Sequence, residues 1–318
     1  MIGNVRLSKS SNANVTGRHG NVPPFFGSTK ASHPSIALVV TLMALLAPAH
    51  LLTSPAMIAA TCATLLIGGL PHGALDLAIL RRGAGRQTAL VVSLYLILAA
   101  VMLAAWMVTP TLALALFLGM AIIHFAEDWS ETEHPFFAIG VAASLISAPA
   151  IFHHQVLGEL FVLLTGKPDA ARLADALLLV APLTAACTLV AIFLLWNGGY
   201  RATAWNAGVA FMAMAALPPI TGFAIYFCLV HSPVHLRAGL TRLRPERGTA
   251  QLTFVATLGG IAIALAAFQF LPGISPSSRV FAASFMTLSI LTLPHMAIPF
   301  FTRQSGLFAP FLHQPIHS

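Results

Sequence analysis

Charge is what this sequence has least of. Asp, Glu, Lys and Arg together make up 8% of its 318 residues, where a soluble domain carries about 25%. Too few charges remain to cover a water-exposed surface, so an ordinary soluble domain is excluded. Cysteine is also scarce. Cys62, Cys187 and Cys228 lie in separate apolar runs and form no CxxC pair, which argues against both a disulfide framework and a thiolate metal site; they read as small buried hydrophobes. Acidic residues are outnumbered, nine to sixteen basic. The basic residues are scattered through short connections, so the net charge of +7 points to orientation in a membrane rather than to nucleic acid.

Hydrophobic residues are abundant instead, at 58% of the chain, with a mean hydropathy of +0.86. They come in continuous Leu- and Ala-rich runs of about 20 residues, the length that crosses a bilayer as a helix. The alternating ten-residue segments of a membrane barrel are missing. The expected fold is therefore all-α: a polytopic membrane bundle of about 8–10 spans. Candidate spans fall near 35–53, 55–80, 88–108, 111–126, 136–153, 172–196, 203–217, 219–238, 250–271 and 280–301. The stretch 154–170 reads as a partly amphipathic segment on the membrane surface. Residues 1–33 are polar and read as a disordered extension, 34–302 as one integral domain, and 303–318 as a short cytoplasmic tail. With ten spans and a cytoplasmic N-terminus, 13 of the 16 basic residues fall inside, and only Lys167, Arg172 and Arg279 outside. The positive-inside rule favours that orientation, in a plasma (inner) membrane.

Within these runs stand residues that lipid does not want. Gly68-Gly69-Leu70-Pro71-His72-Gly73-Ala74-Leu75-Asp76 puts a histidine and an aspartate deep in a span. His124, the pair His231 and His235 in His231-Ser232-Pro233-Val234-His235, and His295 after Pro294 do the same. His72 precedes Arg81 by nine residues, about 13 Å at the helical rise, and His295 precedes Arg303 by eight. All five thus sit in the cytoplasmic half of the membrane. Intramembrane polar groups usually face the bundle interior, so five at one level suggest one site. His231 and His235, at i and i+4, share a helix face and can bind one ion. Imidazole without thiolate favours Fe(II) or Zn(II). Any one such histidine alone is more often a helix–helix hydrogen-bonding group; the common depth of the set is what argues for ligation. Asp76, one turn after His72, and Glu127 and Asp128, just after His124, are candidates to orient the ligands. Phe125, Trp129, Tyr226 and Phe227 are candidates to line an apolar slot. His50, His153 and His154 fall near the opposite face.

At these residues the chain resembles the Brp/Blh family of bacterial and archaeal membrane β-carotene 15,15′-dioxygenases. The resemblance rests on Gly69 to Asp76, His124-Phe125, His231 to His235 and Pro294-His295, and spans about residues 36 to 302. It implies Fe(II)- and O₂-dependent cleavage of the central double bond of β-carotene into two retinal molecules, which a rhodopsin could use. It also implies iron ligands at His72, His124, His231 and His235, with His295 close by but not a ligand. The Glu127-Asp128-Trp129 cluster departs from the family pattern. Two other classes compete. A desaturase- or hydroxylase-like membrane oxidoreductase would need more clustered histidines than the single HxxxH here. A transporter with proton-relay histidines would usually show repeat symmetry, and none is visible.

Overall fold

A computed structural model describes residues 34–84, 88–132, 134–243, 247–271 and 275–304. The polar extension at 1–33 and nearly all of the expected tail lie outside the described residues. Among those described, every regular element is helical: α1 (Pro34–Leu46), α2 (Ala49–Leu52), α3 (Pro55–Ala84), α4 (Thr88–Val108), α5 (Pro110–Phe125), α6 (Pro135–Ser147), α7 (Pro149–Thr165), α8 (Ala171–Asn197), α9 (Arg201–Ala216), α10 (Pro219–Ile225), α11 (Ser232–Leu243), α12 (Arg247–Phe270) and α13 (Pro276–Gln304). A 3₁₀ segment, Ala126–Thr132, follows α5, and a π-helical turn, Tyr226–His231, joins α10 to α11. Backbone N–H and C=O groups find no partners in lipid, so each crossing segment must satisfy its own. Proline, which lacks the N–H a first turn would leave unpaired, opens α3, α5, α6, α7, α10 and α13.

The chain is a multi-pass membrane protein, but with fewer full spans than the run-counting suggests. Among the described residues, seven helical segments are long and apolar enough to cross a bilayer, and an eighth crossing results if α6 and α7 count as one. Those two meet at a 50° bend, where Pro149 opens the second helix. The expected surface segment at 154–170 is thus mostly α7, the second arm of a bent helix pair. Pro48 ends the first apolar run, leaving α1 at 13 residues. The run at 203–217 becomes α9, 16 residues long, with Ala204, Ala207, Ala210 and Ala213 all but inaccessible. Small residues let backbones approach closely, the usual way helices pack in lipid.

α3 is the central element and packs on α10, α11, α12 and α13; α6, α7, α8 and α9 form a second group against α5 and α10. Hydroxyls stitch the α6–α8 seam, with Thr188 Oγ1 donating to Ser144 Oγ at 2.6 Å and Ser147 Oγ 2.8 Å from Thr184 Oγ1. Between the two groups lie the ends of α5 and α10 and the π-turn, and there the polar residues gather.

Candidate metal centre

Each histidine reaches the centre by a local device. Pro71 sits inside α3 just before His72 and cannot donate to the carbonyl of Ile67, which loosens the ladder at that point. On the other side of that turn, Ser232 Oγ donates to the Gly68 carbonyl at 2.6 Å, tying α11 to α3. His124 occupies the last turn of α5. His231 ends the π-turn. Pro233, two residues on, offers no N–H to the carbonyl of Leu229, and the ladder widens just ahead of it. At Gly69 an added Cβ would run into the Phe227 ring, so the absence of a side chain there lets that ring lie against α3 beside His72.

The five histidines are buried, at 0 to 8% exposure, and form one cluster. Ring centroids are 4.4 Å apart for His231–His235, 4.7 Å for His124–His231, 4.8 Å for His124–His295, 5.0 Å for His72–His231 and 5.3 Å for His72–His295. One ring nitrogen each from His72, His124 and His231 lie within 4.8 Å of one another. Asp128, His231 and His235 form a second such group. His153 and His154 lie apart: His153 Nε2 is 3.3 Å from the Ala216 carbonyl, and His154 Nε2 pairs with Asp175 at 2.9 Å.

Carboxylates fix the rings. Asp128 accepts from His231 Nδ1 at 2.9 Å, from His235 Nε2 at 2.8 Å and from the Tyr226 hydroxyl at 2.7 Å. The proton on Nδ1 leaves His231 Nε2 as a lone-pair donor, and this atom is buried with no hydrogen-bond partner. His72 Nδ1 is likewise buried without a well-formed hydrogen bond, the Gly69 backbone being the group that interacts with its ring. Asp76 is hydrogen-bonded to His295 Nδ1, and His295 Nε2 faces His124 Nε2 at 3.3 Å. A buried polar atom left unpaired costs about 1–3 kcal/mol. Two such imidazole nitrogens within a cluster of neutral donors are what a cation would satisfy. The residues present therefore fit a divalent, imidazole-preferring ion.

Several positions depart from the sequence reading. Asp76 pairs with His295 across α13 and not with His72, its neighbour in α3, because its carboxylate points between helices. Asp128 serves α11 and the π-turn, not His124. Glu127 is exposed and makes no hydrogen bond to the histidines. Tyr226 does not line the slot: it is wholly buried and its hydroxyl is spent on Asp128. Trp129, 1% exposed, packs into the core from the 3₁₀ segment and does not line the slot either. Phe125 and Phe227 do line it.

That slot is a cavity of about 290 Å³ beside the cluster. His72, His124 and His295 reach its wall, and the rest is almost wholly apolar, with Leu70, Phe223 and Leu291 among the residues around it. A smaller apolar cavity of about 80 Å³ adjoins it. Phe117, Ala121 and Phe223 line both and form the partition between them. Beyond the histidines, Phe125 and Phe227, the cavity walls carry no sequence signal, since they come from helices distant in the chain.

Comparison with known proteins adds three findings. The family described as "Beta-carotene 15,15'-dioxygenase" matches residues 62–301. The chain is 29% identical over 263 residues to a protein of that name from an uncultured marine bacterium, 66A03, covering 72% of this chain and 88% of the relative. No solved structure matches.

Proposed function

Because the chain belongs to the β-carotene 15,15′-dioxygenase family, a family of oxygenases, we propose that it splits the central double bond of β-carotene with O₂ and releases two molecules of retinal. The single observation that carries this reading is the buried histidine cluster, with its two unpaired nitrogens, set against an apolar cavity inside a membrane bundle. The reaction balances without a reductant: one C=C bond and the O–O bond break, and each oxygen atom ends in one aldehyde.

His72, His124, His231 and His235 would hold Fe(II), with Asp76, Asp128 and His295 as supports. When bound there, ferrous iron supplies the redox chemistry that lets O₂ react with a polyene. The chain does the rest. Asp128 keeps the proton on His231 Nδ1 and turns Nε2 inward. The same carboxylate accepts from His235 Nε2 and holds that ring beside His231. The Asp76–His295 pair abuts His124 and limits its rotation. Phe125 and Phe227 wall the cluster off from water on the substrate side. A long hydrocarbon offers few polar handles, so the double bond presented is set by how far the chain can slide into the cavity.

Residues 34–302 would form the catalytic unit, in a plasma membrane with the N-terminus and the histidine layer toward the cytoplasm, and the retinal could feed a rhodopsin. The test is expression in cells that make β-carotene. Retinal should accumulate as orange colour fades, and the purified protein should carry about one iron per chain. Colour retained, with no retinal and no iron, would overturn the proposal.

A further inference from the structure

The cavity beside the histidines is not sealed. One side is formed by α4, through Val92, Tyr95 and Leu96, and the facing side by α12, through Ala256, Gly259 and Ile263. Both helices pack on α3 and on α13, yet they scarcely touch each other. Leu96 is 63% exposed and Ile263 38% exposed while both line the cavity, so these side chains stand where inside meets outside. Gly259 is exposed as well, and a Cβ built on it would meet nothing within 4 Å. Its neighbour Gly260 does the opposite job: a Cβ there would come within 2.9 Å of Leu70, which holds α12 against α3. The gap therefore persists although α12 is firmly seated.

The depth of this gap decides what it can admit. Gly259 lies 12 residues into α12, about 18 Å from its start at the helical rise, and Leu96 lies near the middle of α4. Around the gap the outward faces are lipid-like: Ile97 and Val101 on α4 and Val255 and Leu258 on α12 are all exposed. The opening thus faces the hydrocarbon core, not an aqueous loop region.

We propose that the α4–α12 gap is the lateral entrance through which a hydrocarbon polyene dissolved in the bilayer reaches the histidine cluster, with Gly259 as its sill. This rests on the carotenoid-cleavage reading for its occupant. A charged or headgroup-bearing ligand would have to desolvate to enter at this level, whereas a wholly apolar one is already in its preferred solvent.

The test separates entry from chemistry. The full-length protein, loaded with iron in lipid nanodiscs, is mixed without O₂ with β-carotene liposomes. The β-carotene retained per protein is followed in time after reisolation. Gly259→Trp should slow uptake at least tenfold while iron content and the spectrum of its ferrous nitric oxide complex stay as in the wild type. Gly119→Trp, which adds the same bulk at another open glycine away from the gap, should take up β-carotene at the wild-type rate. Equal uptake by Gly259→Trp and wild type, or equal slowing by both tryptophan variants, would overturn the proposal. A wild type that takes up β-carotene but yields no retinal in air would remove the cleavage reading and leave the entrance standing.

Discussion

Asp76 on α3 and His295 on α13 are 219 positions apart in the chain and share one buried hydrogen bond. Through His295 the aspartate acts on His124, whose Nε2 is 3.3 Å from His295 Nε2. At that separation the two rings fix each other's orientation, so the Asp76–His295 pair is a support for the centre contributed by the last helix.

Asp76→Ala should therefore weaken metal binding without removing a ligand named here. The expected loss is about 10–100-fold in affinity, the usual cost of an outer partner. A competition titration of the purified protein with a chelator measures it. Unchanged affinity would show that the bond only joins helices.

Asp128→Ala should do more damage than Asp76→Ala, because Asp128 accepts from His231, His235 and Tyr226 together. Each buried donor left without an acceptor costs about 1–3 kcal/mol. We expect little or no bound iron and no retinal. Tyr226→Phe removes only one of the three bonds and should keep iron, with activity reduced a few-fold. Elemental analysis alongside product chromatography distinguishes the two.

Stripping the metal should lower thermal stability reversibly. A ligand at about 100 times its dissociation constant stabilises the folded state by about 2.7 kcal/mol. A chelated sample should melt lower and recover on adding Fe(II). His72→Ala should melt the same with or without Fe(II), while His50→Ala, remote from the cluster, should respond like the wild type.

Gly69→Ala should be more harmful than its size suggests, since the new methyl meets the Phe227 ring. Overpacking of this kind costs about 1–3 kcal/mol. The displaced ring would also intrude on His72, whose centroid is 5.5 Å away. A lower melting temperature together with reduced iron content is the expected result, and Gly69→Ala with Phe227→Leu should recover part of both.

Phe223→Ala should join the two cavities, because its ring lines both. A deeper cavity lets the polyene slide further, so products of unequal length should appear beside retinal. Chromatography of the cleavage products reads this directly; retinal alone would show that Phe223 sets no stop.

The helical class and the histidine set were legible because each is one-dimensional information. Run length gives a span, and distance from a basic end gives depth. What failed needs direction across the bundle. Asp76 stands one turn from His72, yet its carboxylate crosses to His295; Asp128 stands four residues from His124, yet it serves His231 and His235. Tyr226 and Trp129 read as slot residues by proximity, and both turned into the core. The ten apolar runs narrow to seven or eight crossings among the described residues, because Pro48 ends the first run early and the run at 203–217 makes a helix of only 16 residues.

The π-turn before His231 has a further effect on shape. In a regular α-helix, side chains four residues apart drift about 40° around the axis, so Phe223, Phe227, His231 and His235 would wander through about 120°. One widened turn takes up one residue, about 100° of that drift. The rings follow suit, with neighbouring centroids 5.3, 5.4 and 4.4 Å apart. Phe223, Phe227 and His231 thus run as one near-parallel column along that edge of the helix, with His235 tilted by 41° at its end, so a single helix edge joins the cavity wall to the histidine cluster.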